Sequence, residues 1–322
     1  MTPGYVNFFK TGRLDRLHDL LRSRLKECTL CPRACRVNRL EGSLGVCRLS
    51  RTLRISHALP HFGEEPPLSG TNGAGTVFFS SCNLRCVYCQ NYQISHDMAG
   101  KEVTVDELSR MMLGLQEQSC HNIEAVTPTP QVVPLIEALG RACERGLNLP
   151  LVYNCGGYDL PDIVTMLDGV VDIYLPDFKY GDGNASLRYA GVKDYHRYAV
   201  RAIGEMVRQA GDVLEMEGPV ARRGVIIRHL VLPGDIRNSI NVLRLIRDHI
   251  SLSVPISIMA QYSPVRPVAD HPSLGRTITA TEYEKVIDRA LDMGFRNIFV
   301  QEVSDGSRLV PDFDREEPFQ WT

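Results

Sequence analysis

The stretch TVFFSSCNLRCVYCQN, residues 76–91, joins an apolar run to a loop with three cysteines, Cys82, Cys86 and Cys89. The run TVFFS is typical of a buried β-strand, and the loop follows it directly. Thiolates bind soft metals, and four of them complete a tetrahedral zinc site or an iron–sulfur cluster. Three thiolates on a [4Fe–4S] cluster leave one iron without a protein ligand. The loop therefore predicts a cluster at a strand end, with one iron open to a small molecule.

Beyond this loop, short apolar runs alternate with amphipathic segments. The predicted strands are residues 76–80, 123–127, 149–154, 170–179, 224–233, 254–262 and 295–303. The predicted helices are residues 104–118, with a capping box of Thr104 and Glu107, 132–146, 161–167, 185–210, 236–250 and one that begins at Thr279. This alternation, without an early GxGxxG motif, predicts an α/β fold: a partial (β/α)6 TIM-like barrel over residues 77–303. In such a barrel the chemistry lies on the loops after the strands.

The two ends of the chain differ from this pattern. Residues 1–76 contain one amphipathic helix, Arg13 to Lys26, then a four-cysteine segment and a loop-rich stretch. They predict an N-terminal metal-binding extension that packs on the barrel and has little core of its own. Residues 304–322 are expected to form a C-terminal tail.

Composition narrows the class of protein. The 322 residues are 43% hydrophobic, which is enough for a full core, and could form about two domains or one α/β barrel. The formal net charge of −2 argues against a nucleic-acid-binding protein. We find neither a secretory leader nor an apolar stretch of 18 residues, so we expect a cytoplasmic protein that does not contact a membrane.

The N-terminal cysteines form a second group. They are spaced x2, x3 and x11 and number four, Cys28, Cys31, Cys35 and Cys47. Four thiolates can close a metal site, either structural zinc or a second [4Fe–4S] cluster. Arginines surround them and could offset the surplus negative charge, or could simply form a solvated surface: Arg33, Arg36, Arg39 and Arg48. The other cysteines, Cys120, Cys143 and Cys155, are most simply interpreted as core thiols, although Cys155 follows a strand on the expected pocket side.

The C-x3-C-x2-C spacing, with Tyr88 before the last cysteine, resembles the signature of the radical SAM superfamily. Further stretches, CTLCPRACRVNRLEGSLGVCR, VTPTP, LPLVYNCGGYD, VDIYLPDFKY, IRHLVLPG and MAQYSPV, resemble uncharacterised relatives of the pyruvate formate-lyase activating enzymes. The resemblance implies that the open iron binds S-adenosylmethionine (SAM). One electron then cleaves the sulfonium to give methionine and a 5′-deoxyadenosyl radical.

The resemblance also implies several cofactor contacts. Asp177, Lys179 and Arg228 would contact SAM, and Tyr88 would lie beside its adenine. Where activating enzymes have Gly-Gly-Glu-Pro, this chain has Val126 to Pro130, so Thr127 and Thr129 would replace the usual acceptors. Asn154 would begin the loop beneath the cofactor. Without the resemblance, Asp177 and Lys179 could be a surface ion pair, and Arg228 an ordinary strand end.

The leading hypothesis is a radical SAM oxidoreductase that abstracts hydrogen from a protein or peptide substrate and takes electrons from a flavodoxin or ferredoxin. Modification of a small molecule is the second enzymatic alternative. A non-catalytic iron–sulfur electron carrier is the alternative from another class. Modification of RNA is disfavoured because the sequence shows neither a basic patch nor an added RNA-binding domain.

Overall fold

The computed structural model describes residues 1–266, 270–303 and 309–319 of the chain. Its strands are β1 Leu53–His61, β2 Ala74–Phe79, β3 Lys101–Val103, β4 Ile123–Val126, β5 Leu151–Cys155, β6 Ile173–Pro176, β7 Glu215–Glu217, β8 Val220–Val225, β9 Ile227–Leu230, β10 Ile256–Met259 and β11 Ile298–Val300. Its α-helices are α1 Gly4–Lys10, α2 Arg13–Ser23, α3 Pro66–Ser69, α4 Tyr92–Ser95, α5 Val105–Glu117, α6 Val132–Glu144, α7 Pro161–Met166, α8 Gly183–Ala190, α9 Tyr195–Ala210, α10 Ile236–His249 and α11 Ala280–Asp292.

The central sheet is mostly parallel, so the predicted α/β fold is confirmed. Strands β2, β4, β5, β6 and β8 pair in parallel in that order, as do β9, β10 and β11. A parallel bridge between Asp177 and Arg228 joins the two sets. The polar residues that follow β2, β4, β5, β6 and β9 in sequence therefore meet at one edge, where the parallel strands end.

Several local predictions are also confirmed. The Thr104 hydroxyl accepts a hydrogen bond from the Glu107 amide (3.2 Å), and the Glu107 carboxylate accepts one from the Thr104 amide (2.7 Å). Thr279 and Glu282 form the same capping box at the start of α11. Each box satisfies amide groups that the first helical turn leaves without partners.

Two elements predicted to be continuous are each interrupted in the structure. The single helix over residues 185–210 is two helices, because α8 ends at Gly191, whose φ of +65° is readily adopted only by glycine. The single strand over residues 224–233 is interrupted at Ile226. There β8, which pairs with β6, gives way to β9, which pairs with β10. Strand β8 also begins earlier, as part of a hairpin with β7.

The segment between the N-terminal cysteines and β2 belongs to the main sheet and core. Strand β1 pairs antiparallel with both β2 and β3. After it, Leu68 of the short helix α3 packs on the side chains of Val152, Ile173, Leu175, Ala221 and Ile226. The chain thus crosses the inner face of the parallel strands, and residues just before α3 reach the strand ends. Among the described residues, no helix combines the length and apolar character required to cross a membrane.

Candidate functional site

A cavity of about 380 Å³ lies where the parallel strands end. Most residues of interest from the sequence line it: Cys82, Cys86, Tyr88, Cys89, Thr127, Asn154, Asp177, Lys179 and Arg228. The wall also includes residues not predicted, among them His61, Glu64, Glu65, Ser95 and Phe319, and it includes Gln261 of the MAQYSPV stretch that carries the resemblance. The fold therefore brings together residues from eight separate stretches of the chain.

Each sulfur of the three-cysteine loop accepts a hydrogen bond. The Leu84 amide donates to Cys82 Sγ (3.3 Å), the Tyr180 hydroxyl to Cys86 Sγ (2.9 Å), and the Ser95 hydroxyl to Cys89 Sγ (3.2 Å). Such donors stabilise negative charge on sulfur, as a metal-bound thiolate requires. Burial raises the pKa of the Cys86 thiol to about 12, so without a metal the thiol is neutral.

A cluster would bind each thiolate to a different iron, so it does not require the three sulfurs to meet at one ion. In the part of the chain that the structure describes, no three histidine, cysteine or acidic side chains come close enough to bind one metal ion. The loop backbone is tight, since Ser81 and Arg85 have φ values of +88° and +58°. Non-glycine residues in this region are uncommon and recur at functional sites.

Asp177 and Lys179 form an ion pair on the cavity wall, with 2.6 Å between Lys179 Nζ and Asp177 Oδ2. Burial opposes the charge on Lys179, but Asp177 and Cys86 outweigh it and raise the pKa of Lys179 above its usual value. The Tyr195 hydroxyl accepts a hydrogen bond from the Lys179 amide and lies 2.8 Å from the Asp177 carbonyl. The pair is therefore held in a fixed position beside the three-cysteine loop.

The Arg228 guanidinium is bound by two glutamates that sequence reasoning missed. Its Nε donates to Glu65 Oε1 (2.9 Å), and its Nη2 contacts the carboxylates of both Glu64 and Glu65. Burial would raise the pKa of Glu64, but Arg228 and His61 outweigh it and hold that pKa well below its usual value. The paired acids of FGEEPP were the available signal, since adjacent buried carboxylates require a cation.

Asn154 is engaged by another buried acid. Its Nδ2 donates to Glu124 Oε1 (2.7 Å). Burial, together with the negative charge of Glu64, raises the pKa of Glu124 well above its usual value. Asn154 thus presents to the cavity with its amide nitrogen already bound.

Of the remaining predicted contacts, Tyr88 and Thr127 line the cavity and Thr129 does not. Tyr88 lines the cavity and packs edge-on against Tyr180, Tyr189 and Tyr262. Thr127 lines it in a left-handed conformation (φ +59°). Thr129 is absent from the lining, and its hydroxyl instead donates to Asp159 Oδ1 (2.6 Å).

His229 and Cys155 each follow a cavity residue in the sequence, but their side chains make contacts away from the cysteine loop. His229 is buried, with Nδ1 2.7 Å from the Phe178 carbonyl and Nε2 2.8 Å from the Ser239 hydroxyl. Cys155 also borders the cavity, but along the strand its side chain alternates with that of Asn154. Its pKa is raised by burial and by Asp159, which bonds Thr129 outside the lining.

The four-cysteine segment forms a separate group of thiols. Burial, and to a lesser extent the charges of Cys47, Cys28 and Cys35, raises the pKa of Cys31 to about 12. The Val46 amide donates to Cys35 Sγ (3.3 Å). Arg39 is buried beside Cys28, while Arg36 is exposed and pairs only with Glu27 among the ion pairs of the described residues.

Comparisons with known proteins match this chain to one family and to individual proteins. The family model of the radical SAM superfamily matches residues 76–246, just over half of the chain. The uncharacterized protein MJ0674 of Methanocaldococcus jannaschii is 28% identical over 294 residues, covering 88% of this chain and 80% of that protein. The crystal structure of methylornithine synthase aligns with a TM-score of 0.48 and 14% identity, over 92% of this chain and 74% of that one.

Proposed function

The chain belongs to the radical SAM superfamily, and on that premise we propose that it is an enzyme whose [4Fe–4S] cluster is held by Cys82, Cys86 and Cys89. The observation that carries the proposal is that these three sulfurs border one cavity and each accepts a hydrogen bond. When bound, the cluster and SAM supply a one-electron cleavage that yields methionine and a 5′-deoxyadenosyl radical, which abstracts hydrogen from the substrate.

The cavity walls would bind and orient SAM. We propose that Asp177 and Lys179 contact its polar groups, because both are fixed beside the cysteine loop. Two carboxylates on the single Arg228 guanidinium leave the wall acidic, which suits the positively charged sulfonium. Arg228 would act chiefly by fixing Glu64 and Glu65. Tyr88, Thr127 and Asn154 would complete the binding surface, whereas Thr129 would support Asp159 from behind.

The finer classification also rests on the sequence resemblance. We propose six β/α units, counting β8 and β9 as one bent strand, with β11 as a further strand. We further propose oxidoreductase chemistry like that of the pyruvate formate-lyase activating enzymes, with a protein or peptide as the substrate and a flavodoxin or ferredoxin as the reductant. The four N-terminal cysteines would hold a second metal centre, for which a [4Fe–4S] cluster suits their positions better than a single zinc ion, since no three of the described side chains come close enough to bind one ion.

Anaerobic reconstitution with iron and sulfide tests the function. Reduced by dithionite, the loaded protein should convert SAM to equal amounts of methionine and 5′-deoxyadenosine. Cys143→Ala should retain this activity, because Cys143 lies in α6, outside the cavity lining. Iron loading without any SAM cleavage would contradict the proposal and favour an electron carrier.

A further inference from the structure

One arginine of the four-cysteine segment, Arg33, contacts the three-cysteine loop directly. Arg33 lies between Cys31 and Cys35, and its guanidinium reaches three backbone carbonyls. Its Nε donates to the Asn83 carbonyl (2.8 Å), and its Nη2 donates to those of Leu84 (3.0 Å) and Ala190 (3.1 Å). A planar guanidinium fixes such a set of acceptors in orientation as well as in distance.

One of these contacts leads directly to a cluster ligand. The Asn83 carbonyl and the Leu84 amide belong to the same rigid peptide group. Arg33 binds the oxygen of this group at 2.8 Å, and its N–H donates to Cys82 Sγ at 3.3 Å. Because linked hydrogen bonds polarise one another, the charge on Arg33 strengthens the N–H donor that Cys82 receives.

Two more contacts join the same parts of the chain. The Ser81 hydroxyl, one residue before Cys82, donates to the Cys47 carbonyl (2.6 Å). Arg48, one residue after Cys47, donates to the His96 carbonyl (2.9 Å). The three-cysteine loop is therefore held at its start, within its first turn and after its end by residues of the four-cysteine segment.

We propose that the four-cysteine segment, when its thiols hold a metal centre, positions Cys82 through Arg33 and so tunes the SAM-binding cluster. The inference rests on the proposed function of the cavity. A metal bound to Cys31 and Cys35 would fix the backbone on both sides of Arg33, since metal binding orders the loops that supply its ligands. Arg33 is a positioning residue: it acts on the cluster through the Asn83–Leu84 peptide group.

Two arginine variants test this role. Arg33→Gln removes the positive charge and the planar guanidinium that contacts the three carbonyls. Arg36→Gln is the control, because Arg36 is exposed and pairs with Glu27. With the loaded protein, Arg33→Gln should lower the reduction potential of the three-cysteine cluster and weaken SAM binding about tenfold. Arg36→Gln should change SAM affinity less than about twofold. Arg33→Lys should restore part of the potential, because it keeps the charge. Identical behaviour of Arg33→Gln and Arg36→Gln would overturn the inference.

A second measurement does not depend on the cluster or on SAM. In protein loaded only at the four-cysteine site, hydrogen exchange of residues 81–85 should be faster in Arg33→Gln than in Arg36→Gln. Cys31→Ser, which removes a ligand of that site, should give the same acceleration, and the double variant Cys31→Ser/Arg33→Gln should add nothing further. Additive effects, or unchanged exchange, would overturn the inference even if SAM cleavage is observed. Expected exchange without SAM cleavage would retain the coupling between the segments and defeat only the proposed function.

Discussion

The two cysteine groups have similar spacing but different surroundings. The three-cysteine loop borders a cavity, and side chains or amides from the loop, α4 and the segment after β6 reach its sulfurs. The four-cysteine segment is closed largely by its own backbone, and the exposed side chains beside it, Leu44 at 59% and Val46 at 40%, face away from the core. A ligand can approach the first group from the cavity, whereas the four thiols of the second all come from one segment, residues 28–47.

The number of thiols does not by itself determine the role of a site. The three-cysteine loop is joined to acids, amides and a lysine that suit a polar, charged ligand. The four-cysteine segment instead directs its arginines to backbone carbonyls of its neighbours. We therefore expect chemistry at the first group and positioning at the second, and the following variants challenge that division.

The largest expected effect is at the first group. Cys86→Ala should lower SAM cleavage by about a thousandfold or more, because the cluster loses one of its three protein ligands. Production of 5′-deoxyadenosine by the reconstituted protein measures this. Cys120→Ala is the control, since Cys120 is buried outside the cavity lining and should leave the rate within about twofold. Retained activity in Cys86→Ala would contradict the assignment of the chemistry to the three-cysteine loop.

The wall behind the first group should be sensitive to acid. Burial lowers the pKa of His229 from 6.5 to about 4, so the unfolded chain takes up a proton in this range before the folded chain does. The neutral His229 imidazole contributes its full stabilisation above pH 6.5. As the pH falls towards 4, the free energy of unfolding decreases by about 3 kcal/mol.

Denaturant unfolding at pH 7 and pH 4.5 tests this dependence. His229→Gln should lose less stability between the two pH values than the unaltered chain does. His249→Gln, at an exposed position near the end of α10, should follow the unaltered chain. Equal acid sensitivity of all three proteins would show that His229 does not titrate in this way.

A smaller effect is expected for the ion pair. Lys179→Met should weaken SAM binding about tenfold to a hundredfold, because it removes a charge from the wall and leaves Asp177 without its partner. Calorimetric titration of SAM under anaerobic conditions measures this, with iron content checked. Lys193→Met changes an exposed lysine and should bind as before. Normal affinity in Lys179→Met would remove Lys179 from the binding surface.

The smallest effect concerns one hydrogen bond to sulfur. Tyr180→Phe removes the hydroxyl that donates to Cys86, so the reduced cluster should lose about 1 kcal/mol, or about 40 mV of potential. Redox titration followed by electron paramagnetic resonance measures the shift. Tyr189→Phe, whose hydroxyl donates to Asp235, is the control. An unchanged potential in Tyr180→Phe would show that this donor does not tune the cluster.

Sequence patterns predicted the features that depend on local spacing. The parallel α/β order follows from apolar runs and amphipathic periods, and both capping boxes follow from residues three apart. The strand ends were enough to identify nine of the residues that line the cavity. What remained hidden depends on contacts over long separations: Arg228 with Glu65 are 163 residues apart, and Arg33 with Asn83 are 50 apart.

The errors have local physical causes as well. Helical periodicity continues through residues 185–210, and only the left-handed Gly191 reveals the break. Thr127 and Thr129 are equivalent in the sequence VTPTP, but the turn after β4 directs the hydroxyl of Thr129 to Asp159, away from the cavity. Arg228 lines the cavity as expected, but nothing in its own strand indicates that Glu64 and Glu65 bind it.

The most direct test is the electron paramagnetic resonance spectrum of the reduced cluster before and after SAM is added. Cys31→Ser protein, in which only the three-cysteine site should retain its full set of ligands, isolates the relevant signal. We predict that SAM changes the spectrum and that the signal is absent when Cys82 is also replaced by Ala. A spectrum that SAM leaves unchanged, or a signal that persists without Cys82, would contradict an iron open to SAM at this loop.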